Sequence, residues 1–233
     1  MVLPVINTPT YTLAVPSTKE EIVYRPFLVK EEKILLTAME TGGEGDLVNA
    51  LKQIVNNCVE SELDLNTLAT FDLEYIFLNL RAKSVGEVAT INVTCPDDNE
   101  TQVPIEVNLQ EVEVTFPEDH SNKVELTDTI GLTMKYPDFS LATVTGETNT
   151  EYLFKMIRGC IVQITEGETI HERVDFNDAE LDTFLDSLNS KQLEGVQKFF
   201  ETMPKLRHEI TVTNPKTKKE NKVTLEGLDA FFV

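Results

Sequence analysis

Hydrophobic positions recur with helical spacing in two separate blocks of the chain. In the first block, Leu47, Leu51, Ile54, Val55 and Cys58 illustrate a stripe in which neighbours lie three or four residues apart. Such a stripe is typical of an amphipathic helix with one buried face. The two blocks together predict helices over 29–40, 46–58, 70–81, 149–165, 178–188 and 190–203, with a short helical turn at 63–68.

Capping residues indicate where three of these helices begin. Asp46 and Ser190 stand before apolar stripes, and short polar side chains of this kind accept hydrogen bonds from free amides at a helix start. Asn177 and Glu180 have the spacing of a capping box. Pro204 is expected to end the last helix, because proline lacks the amide donor.

Apolar residues alternate with polar ones in the segments outside the helical blocks. Alternation with a period of two places one side of an extended strand in the core. It predicts β-hairpins over 11–25, 88–109 and 206–225, each turning at a proline-containing loop. Shorter extended runs are expected at 111–116 and 132–136.

Two of the hairpins carry a similar sequence. Ile91–Pro96 (INVTCP) and Ile210–Pro215 (ITVTNP) share four of six residues, and each follows a predicted helix. A duplicated helix–hairpin module explains this, and so do two independent hairpins that use the same turn chemistry. The predicted fold class is α+β, with two helical blocks each followed by an antiparallel hairpin, plus an N-terminal hairpin. The expected segments are an arm and hairpin (1–28), helical block 1 (29–87), a hairpin with an acidic extended segment (88–147), helical block 2 (148–204) and a C-terminal hairpin (205–233).

The chain is strongly acidic, with 20 basic and 40 acidic side chains and a net charge of −20. Such a chain repels the phosphate backbone, so nucleic-acid binding is disfavoured. The segment from Lys205 to Lys222 departs from this balance, with six basic and two acidic residues. Its net charge of +4 fits either a solvated hairpin tip or a docking surface for an acidic partner.

The sequence has no pattern typical of membrane insertion or of a disulfide framework. No apolar run approaches the roughly 18 residues that span a bilayer, and 1–10 does not resemble a signal peptide. The three cysteines, Cys58, Cys95 and Cys160, are odd in number and widely spaced, which indicates buried thiols in a reducing compartment. No membrane partner is expected.

Candidate chemistry is sparse. Cys95-Pro96 sits in a turn shaped like a zinc-ribbon knuckle, but Asp98 and Asn214 stand where further thiolates would be needed. The histidines, His120, His171 and His208, lie in polar stretches expected to be exposed, without the spacing of a metal site. We therefore expect no metal, no cofactor and no catalytic residues, with an enzyme of another type as the remaining interpretation.

Three sequence blocks resemble the baseplate hub subunits of T-even-like contractile-tailed bacteriophages. The first comprises 7–11 (NTPTY) and 25–33 (RPFLVKEEK), the second is 131–137 (GLTMKYP), and the third begins at 199–206 (FFETMPKL). They occur in the order found in that family and span nearly the whole chain. Family members often carry zinc-ribbon-like cysteines in the hairpin after the first helices, of which this chain keeps only Cys95.

The resemblance implies a non-enzymatic structural or assembly protein of the central hub of the tail baseplate. It implies residence in the virion and in the infected host cytoplasm, with other baseplate, hub or tape-measure proteins as partners. The alternative is a chaperone that escorts the tape measure or another hub protein and leaves before the virion matures. The candidate partner-binding residues are Arg25, Phe27, Lys30, Lys205, Arg207, Lys216, Lys218 and Lys219.

Overall fold

A computed structural model describes residues 7–41, 44–142 and 148–231. The helices are α1 (Val29–Thr41), α2 (Glu44–Cys58), α3 (Thr70–Ser84), α4 (Phe139–Ala142), α5 (Asn149–Cys160), α6 (Asp178–Asp186) and α7 (Ser190–Thr202). The strands are β1 (Tyr11–Ala14), β2 (Glu21–Tyr24), β3 (Val88–Thr94), β4 (Gln102–Asn108), β5 (Glu113–Thr115), β6 (Lys123–Glu125), β7 (Ile130–Met134), β8 (Ile161–Glu166), β9 (Thr169–Glu172), β10 (Lys205–Thr213) and β11 (Glu220–Glu226). Short 3-10 turns cover Leu109–Glu111, Arg173–Asp175 and Leu228–Phe231.

The α+β fold class is confirmed, and the contacts divide the chain into two compact units. Unit 1 combines Met1–Thr115 with Lys205–Val233, whereas unit 2 is the intervening segment Phe116–Pro204. Unit 1 is therefore built from two separated parts of the sequence. The five segments expected along the chain stay a prediction about its linear organisation.

Helix α3 supplies much of the core of unit 1. It buries residues around most of its circumference, including Phe71, Ile76, Phe77, Leu78 and Leu80. A helix that is apolar on several sides is stable only when other elements cover it. Neighbouring elements that do so include α2, β5, β10 and the 3-10 turns at both hairpin ends.

The strands of unit 1 form three small antiparallel sheets. β1 pairs with β2, β3 pairs with β4, and the third sheet has the order β11-β10-β5. All three predicted hairpins are therefore confirmed. β5 comes before unit 2 in the sequence and β10 comes after it, so their pairing closes unit 1 across the insertion.

The three hairpins share one turn geometry, which was not evident from the sequence. In each, we call the residue just before the turn proline the anchor. The amide four positions after the anchor donates a hydrogen bond of 2.8–2.9 Å to the anchor carbonyl. The donor residue has a left-handed φ of +56° to +63°, a conformation in which L-residues are strained. The anchor and donor pairs are Val15–Lys19, Cys95–Asn99 and Asn214–Lys218.

The two similar hairpins differ in the length of their loops. Thr94 pairs with Gln102 across loop 95–101, whereas Thr213 pairs with Glu220 across loop 214–219. The register after the two prolines is therefore offset by one residue. Duplication stays a prediction, and the offset favours two independent hairpins built on the same turn.

Unit 2 is a four-stranded antiparallel sheet with helices packed on it. The strand order is β6-β7-β8-β9, and the buried core joins residues of β6, β7, β8, α5, α6 and α7. The predicted capping box at Asn177 and Glu180 is confirmed, with both reciprocal hydrogen bonds present. The core residues include Leu132, Met134, Ile157, Cys160, Leu181, Leu185, Val196 and Phe199.

Several predicted boundaries were wrong. The helix expected over 149–165 ends at Cys160, and Ile161–Glu166 is the strand β8. Its β-branched residues favour extended backbone, although their apolar spacing also matches a helix. Helix α7 is capped by Asn189 rather than Ser190.

Two predictions in the first helical block were also wrong. Asp46 lies inside α2, which begins at Glu44, so its side chain does not stand before the helix. The helical turn predicted at 63–68 is reduced to one turn at 65–67, where the amide of Thr67 donates to the carbonyl of Asp64 at 3.1 Å. Gly42 and Gly43, which the sequence predicts to end the helix over 29–40, lie outside the described residues.

No helix within 7–41, 44–142 and 148–231 has both the length and the apolar character needed to cross a membrane.

Candidate functional site

The turns of two hairpins meet in a polar junction inside unit 1. Asp97, in the β3–β4 turn, accepts hydrogen bonds from Asn214 Nδ2 at 2.8 Å and from Asn221 Nδ2 at 3.0 Å. The hydroxyl of Thr217 donates to the other carboxylate oxygen of Asp97. We call these four residues the turn junction. Asn214 is fully buried and Asn221 nearly so, so each amide depends on its partner inside the protein.

Hydrogen bonds within each turn hold the residues around the junction in position. The side-chain oxygen of Asn214 accepts the amides of Lys216 at 2.8 Å and Thr217 at 3.3 Å. Asp98 accepts both the hydroxyl and the amide of Thr101, at 2.5 and 3.0 Å. These donors hold the pKa of Asp98 well below its usual range. The base of the β10–β11 loop, which carries the exposed lysines, is therefore held in place.

The turn junction includes two of the four positions that would hold the metal in a zinc ribbon. Two facing knuckles supply four ligands to tetrahedral zinc, and the corresponding positions here are Cys95, Asp98, Asn214 and Thr217. Burial and the carboxylates of Asp97 and Asp98 raise the pKa of the Cys95 thiol, which disfavours the thiolate that zinc requires. The residues present do not fit zinc, and hydrogen bonds hold the two turns together instead.

Replacing Cys95 with serine is expected to cost about 1 kcal/mol of stability through lost packing of a buried side chain. Neither the wild type nor Cys95→Ser should contain stoichiometric zinc by elemental analysis. A chelator should leave the urea midpoint of the wild type unchanged. One tightly held zinc per chain, or a chelator-sensitive midpoint, would contradict this.

The lysines predicted for partner binding at the hairpin tip are exposed. Lys216, Lys218 and Lys219 lie in the β10–β11 loop, and in the described part of the chain no carboxylate forms an ion pair with them. Lys205 and Arg207, at the base of the same hairpin, both pair with Glu226, at 2.8 and 2.7 Å. The positive charge available to a partner is therefore concentrated at the tip. We call Lys216, Lys218 and Lys219 the lysine tip.

The N-terminal candidates instead bind within unit 1. Arg25 donates to the buried carboxylate of Glu31 at 3.1 Å and to the carbonyl of Asn57 at 2.8 Å. Phe27 is buried and stacks on Phe77. Burial opposes ionisation of Glu31, but the bonds from Arg25 and other donors hold its pKa below the usual value. Arg25 and Phe27 therefore stabilise the fold.

Lys30, the third N-terminal candidate, reaches the same carboxylate from outside. Its ammonium lies 3.3 Å from Glu31 Oε1, while 68% of its side chain is exposed. It is the member of this group that remains accessible to a partner.

His120 is less exposed than the sequence predicts. His120 is half-buried between the rings of Tyr136 and Phe199, with centroids at 5.5 and 5.2 Å. Its Nδ1 lies 3.0 Å from the hydroxyl of Thr202, and burial lowers its pKa. His120 is therefore a packing residue of unit 2, and its burial disfavours the charged imidazolium.

Sequence reasoning missed a groove in unit 2. A cavity of about 290 Å³ lies between the sheet and α6, and its lining includes apolar residues, His171 and three acidic residues, Glu166, Asp175 and Glu180. The available signal was the density of acidic residues from 166 to 186, with eight acidic and one basic side chain. We call this cavity the acidic groove. Its apolar lining is formed by Ile130, Ile164, Phe176, Leu181 and Phe184.

Comparisons with known proteins place the chain in a family. Searches of curated proteins and of solved structures gave no match. The family model described as T4 bacteriophage base plate protein matches residues 8–233. The match runs through both units and includes the turn junction and the lysine tip. The chain therefore belongs to the T4 bacteriophage base plate protein family.

Proposed function

We propose that the protein is a non-enzymatic structural subunit of the central hub of the tail baseplate. The family match over residues 8–233 carries this proposal, because it covers nearly the whole chain. The described side chains agree with a structural role, since buried polar groups such as Asn214 are used to hold turns together. The protein would be made in the infected host cell and retained in the virion.

The lysine tip is the element best suited to contact another baseplate protein. It is an exposed positive cluster on a hairpin whose base is fixed by the turn junction, in a chain with a net charge of −20. Fixed charges at the edge of an interface steer a complementary surface into place. The partner surface would therefore be acidic.

A second candidate is an assembly chaperone for the tape measure or another hub protein. The net charge of −20 favours it, because strong like charge keeps a carrier soluble. Mass spectrometry of purified mature particles separates the two functions. A stoichiometric amount of the chain in the particle supports the structural subunit. Its absence from particles, together with its presence on tail intermediates, would establish the chaperone.

Reversing the lysine tip is expected to slow association with the baseplate partner. The variant Lys216→Glu/Lys218→Glu/Lys219→Glu should associate about tenfold more slowly at low ionic strength, because steering by exposed charge is lost. The difference should shrink in high salt, where the Debye length falls to about 3 Å. Stopped-flow kinetics with the partner captured by the wild type from infected cells measure both rates.

The matched control is Lys33→Glu/Lys191→Glu/Lys198→Glu, which makes the same change in net charge at exposed lysines elsewhere. It should associate at nearly the wild-type rate. An equal rate for the tip variant at low salt would remove the lysine tip from the interface.

A further inference from the structure

The acidic groove has the composition of a site for lysine side chains. Its lining combines apolar residues of β7, β8 and α6 with the carboxylates of Glu166, Asp175 and Glu180. The side chain of Glu166 is 70% exposed, and the imidazole Nε2 of His171 lies 3.6 Å from its carboxylate. The groove therefore offers negative charge beside apolar surface.

Lysine matches such a surface better than a purely apolar or a purely charged group. Its four methylene groups cover apolar surface while its ammonium stays at the polar edge. In the groove, the methylenes would lie on Ile130, Ile164 and Phe184, and the ammonium would reach Glu166 or Glu180. A volume of about 290 Å³ admits more than one such side chain.

The same chain presents a lysine cluster of this kind. The lysine tip places three exposed ammonium groups within four consecutive residues. The segment around it, 205–222, has a net charge of +4, whereas 166–186 has eight acidic residues against one basic residue. The two surfaces are complementary in charge and in the balance of polar and apolar groups.

We propose that the lysine tip of one copy docks in the acidic groove of a second copy of this chain. This rests on the proposed function, in that it names the acidic partner of the tip. The contact joins two different surfaces, so it is heterologous and leaves one tip and one groove free in each pair. Further copies can add in the same way, giving a ring where the rotation between neighbours closes and an open filament where it does not.

Sedimentation velocity of the full chain tests the contact. The wild type should self-associate with rising concentration at about 20 mM salt and dissociate at about 500 mM, as expected for screened charges. We expect self-association about tenfold weaker than that of the wild type in each of two variants. These are the tip variant Lys216→Glu/Lys218→Glu/Lys219→Glu and the groove variant Glu166→Lys/Glu180→Lys. The control Glu118→Lys/Glu201→Lys, exposed positions of unit 2 outside the groove, should associate like the wild type.

A mixture of the two variants provides the decisive measurement. The groove variant keeps a lysine tip that fits the acidic groove of the tip variant, and the reversed pair of surfaces is complementary as well. The mixture should therefore recover association that neither variant shows alone. Because Glu180 belongs to a capping box, the single change Glu166→Lys repeats the test with the helix start intact.

Other outcomes overturn the proposal or separate it from the proposed function. A wild type that stays monomeric at every concentration, or a mixture without recovery, overturns the self-contact. If the tip variant then still loses binding to another captured baseplate protein, that protein is the partner of the lysine tip and the hub function stands. Self-association of a chain that is absent from mature particles would overturn the hub function and keep the contact.

Discussion

Replacing Asn214 with alanine is expected to lower the free energy of unfolding by about 3 kcal/mol. Asn214 is fully buried, donates to Asp97, and accepts the amides of Lys216 and Thr217. Alanine removes all three of these bonds at once, and only Asp97 keeps other donors, from Asn221 and Thr217. The expected loss exceeds that of one ordinary surface hydrogen bond because three bonds to a buried side chain disappear together.

Urea denaturation followed by circular dichroism measures the change. Asn92→Ala is the matched control, since Asn92 is the same residue type at an exposed position of β3. The control should stay within about 0.5 kcal/mol of the wild type. Equal effects of the two substitutions would show that the turn junction does not hold the hairpins together.

Replacing Glu74 with glutamine is expected to raise stability at pH 8 by about 2 kcal/mol. Glu74 lies on α3, where burial, followed by the charges of Asp229 and Glu226, raises its pKa to about 7. The unfolded chain releases this proton near pH 4.5, so the folded protein binds it more tightly. The tighter binding of this proton by the folded protein therefore contributes its full stabilisation below about pH 4.5. This contribution is lost as the pH rises through 7.

Glutamine imitates the protonated carboxyl at every pH. The two proteins should therefore have similar stability at pH 4, and Glu74→Gln should be the more stable above pH 7. The control Glu106→Gln, on the exposed side of β4, should not change the pH profile in this way. Parallel stability curves for the wild type and Glu74→Gln across this range would contradict the raised pKa.

The hairpins could be predicted from the sequence because two independent patterns agree on them. Alternation fixes which side of a strand is buried, and a proline with polar neighbours fixes where the chain turns. The register found for β3 and β4, with Val93 opposite Val103 and Ile91 opposite Ile105, follows from that alternation. The same alternation, with Pro215 at the turn, predicts that the lysine tip lies in a loop.

The misassigned end of α5 shows where local pattern stops being sufficient. Ile157, Cys160, Ile161 and Ile164 keep helical spacing, yet the last two belong to β8. The strand forms because β7 and β9 pair with it, and those partners lie elsewhere in the sequence. Local periodicity contains no information about such pairing.

How well each candidate surface could be predicted depends on whether its residues are close together in the sequence. The turn junction requires Asp97 to meet Asn214 across more than a hundred residues, and no spacing rule expresses that contact. Arg25 is one of the predicted partner-binding residues, whereas the structure shows it bound to Glu31 and Asn57. The acidic groove depends on how α6 packs on the sheet.

The pairing of β5 with β10 has a consequence for the order in which the chain folds. Thr115 and Lys205 are opposite each other, although the whole of unit 2 separates them along the chain. Joining them across roughly 90 flexible residues would cost about 4 kcal/mol of loop-closure entropy. A unit 2 that has already folded replaces this flexible connection with a compact one. β10 also leaves the ribosome after unit 2, so the inserted unit has time to fold before the central strand of the third sheet becomes available. Synthesis and topology thus favour the same sequence of events, in which unit 2 forms first and unit 1 is completed afterwards.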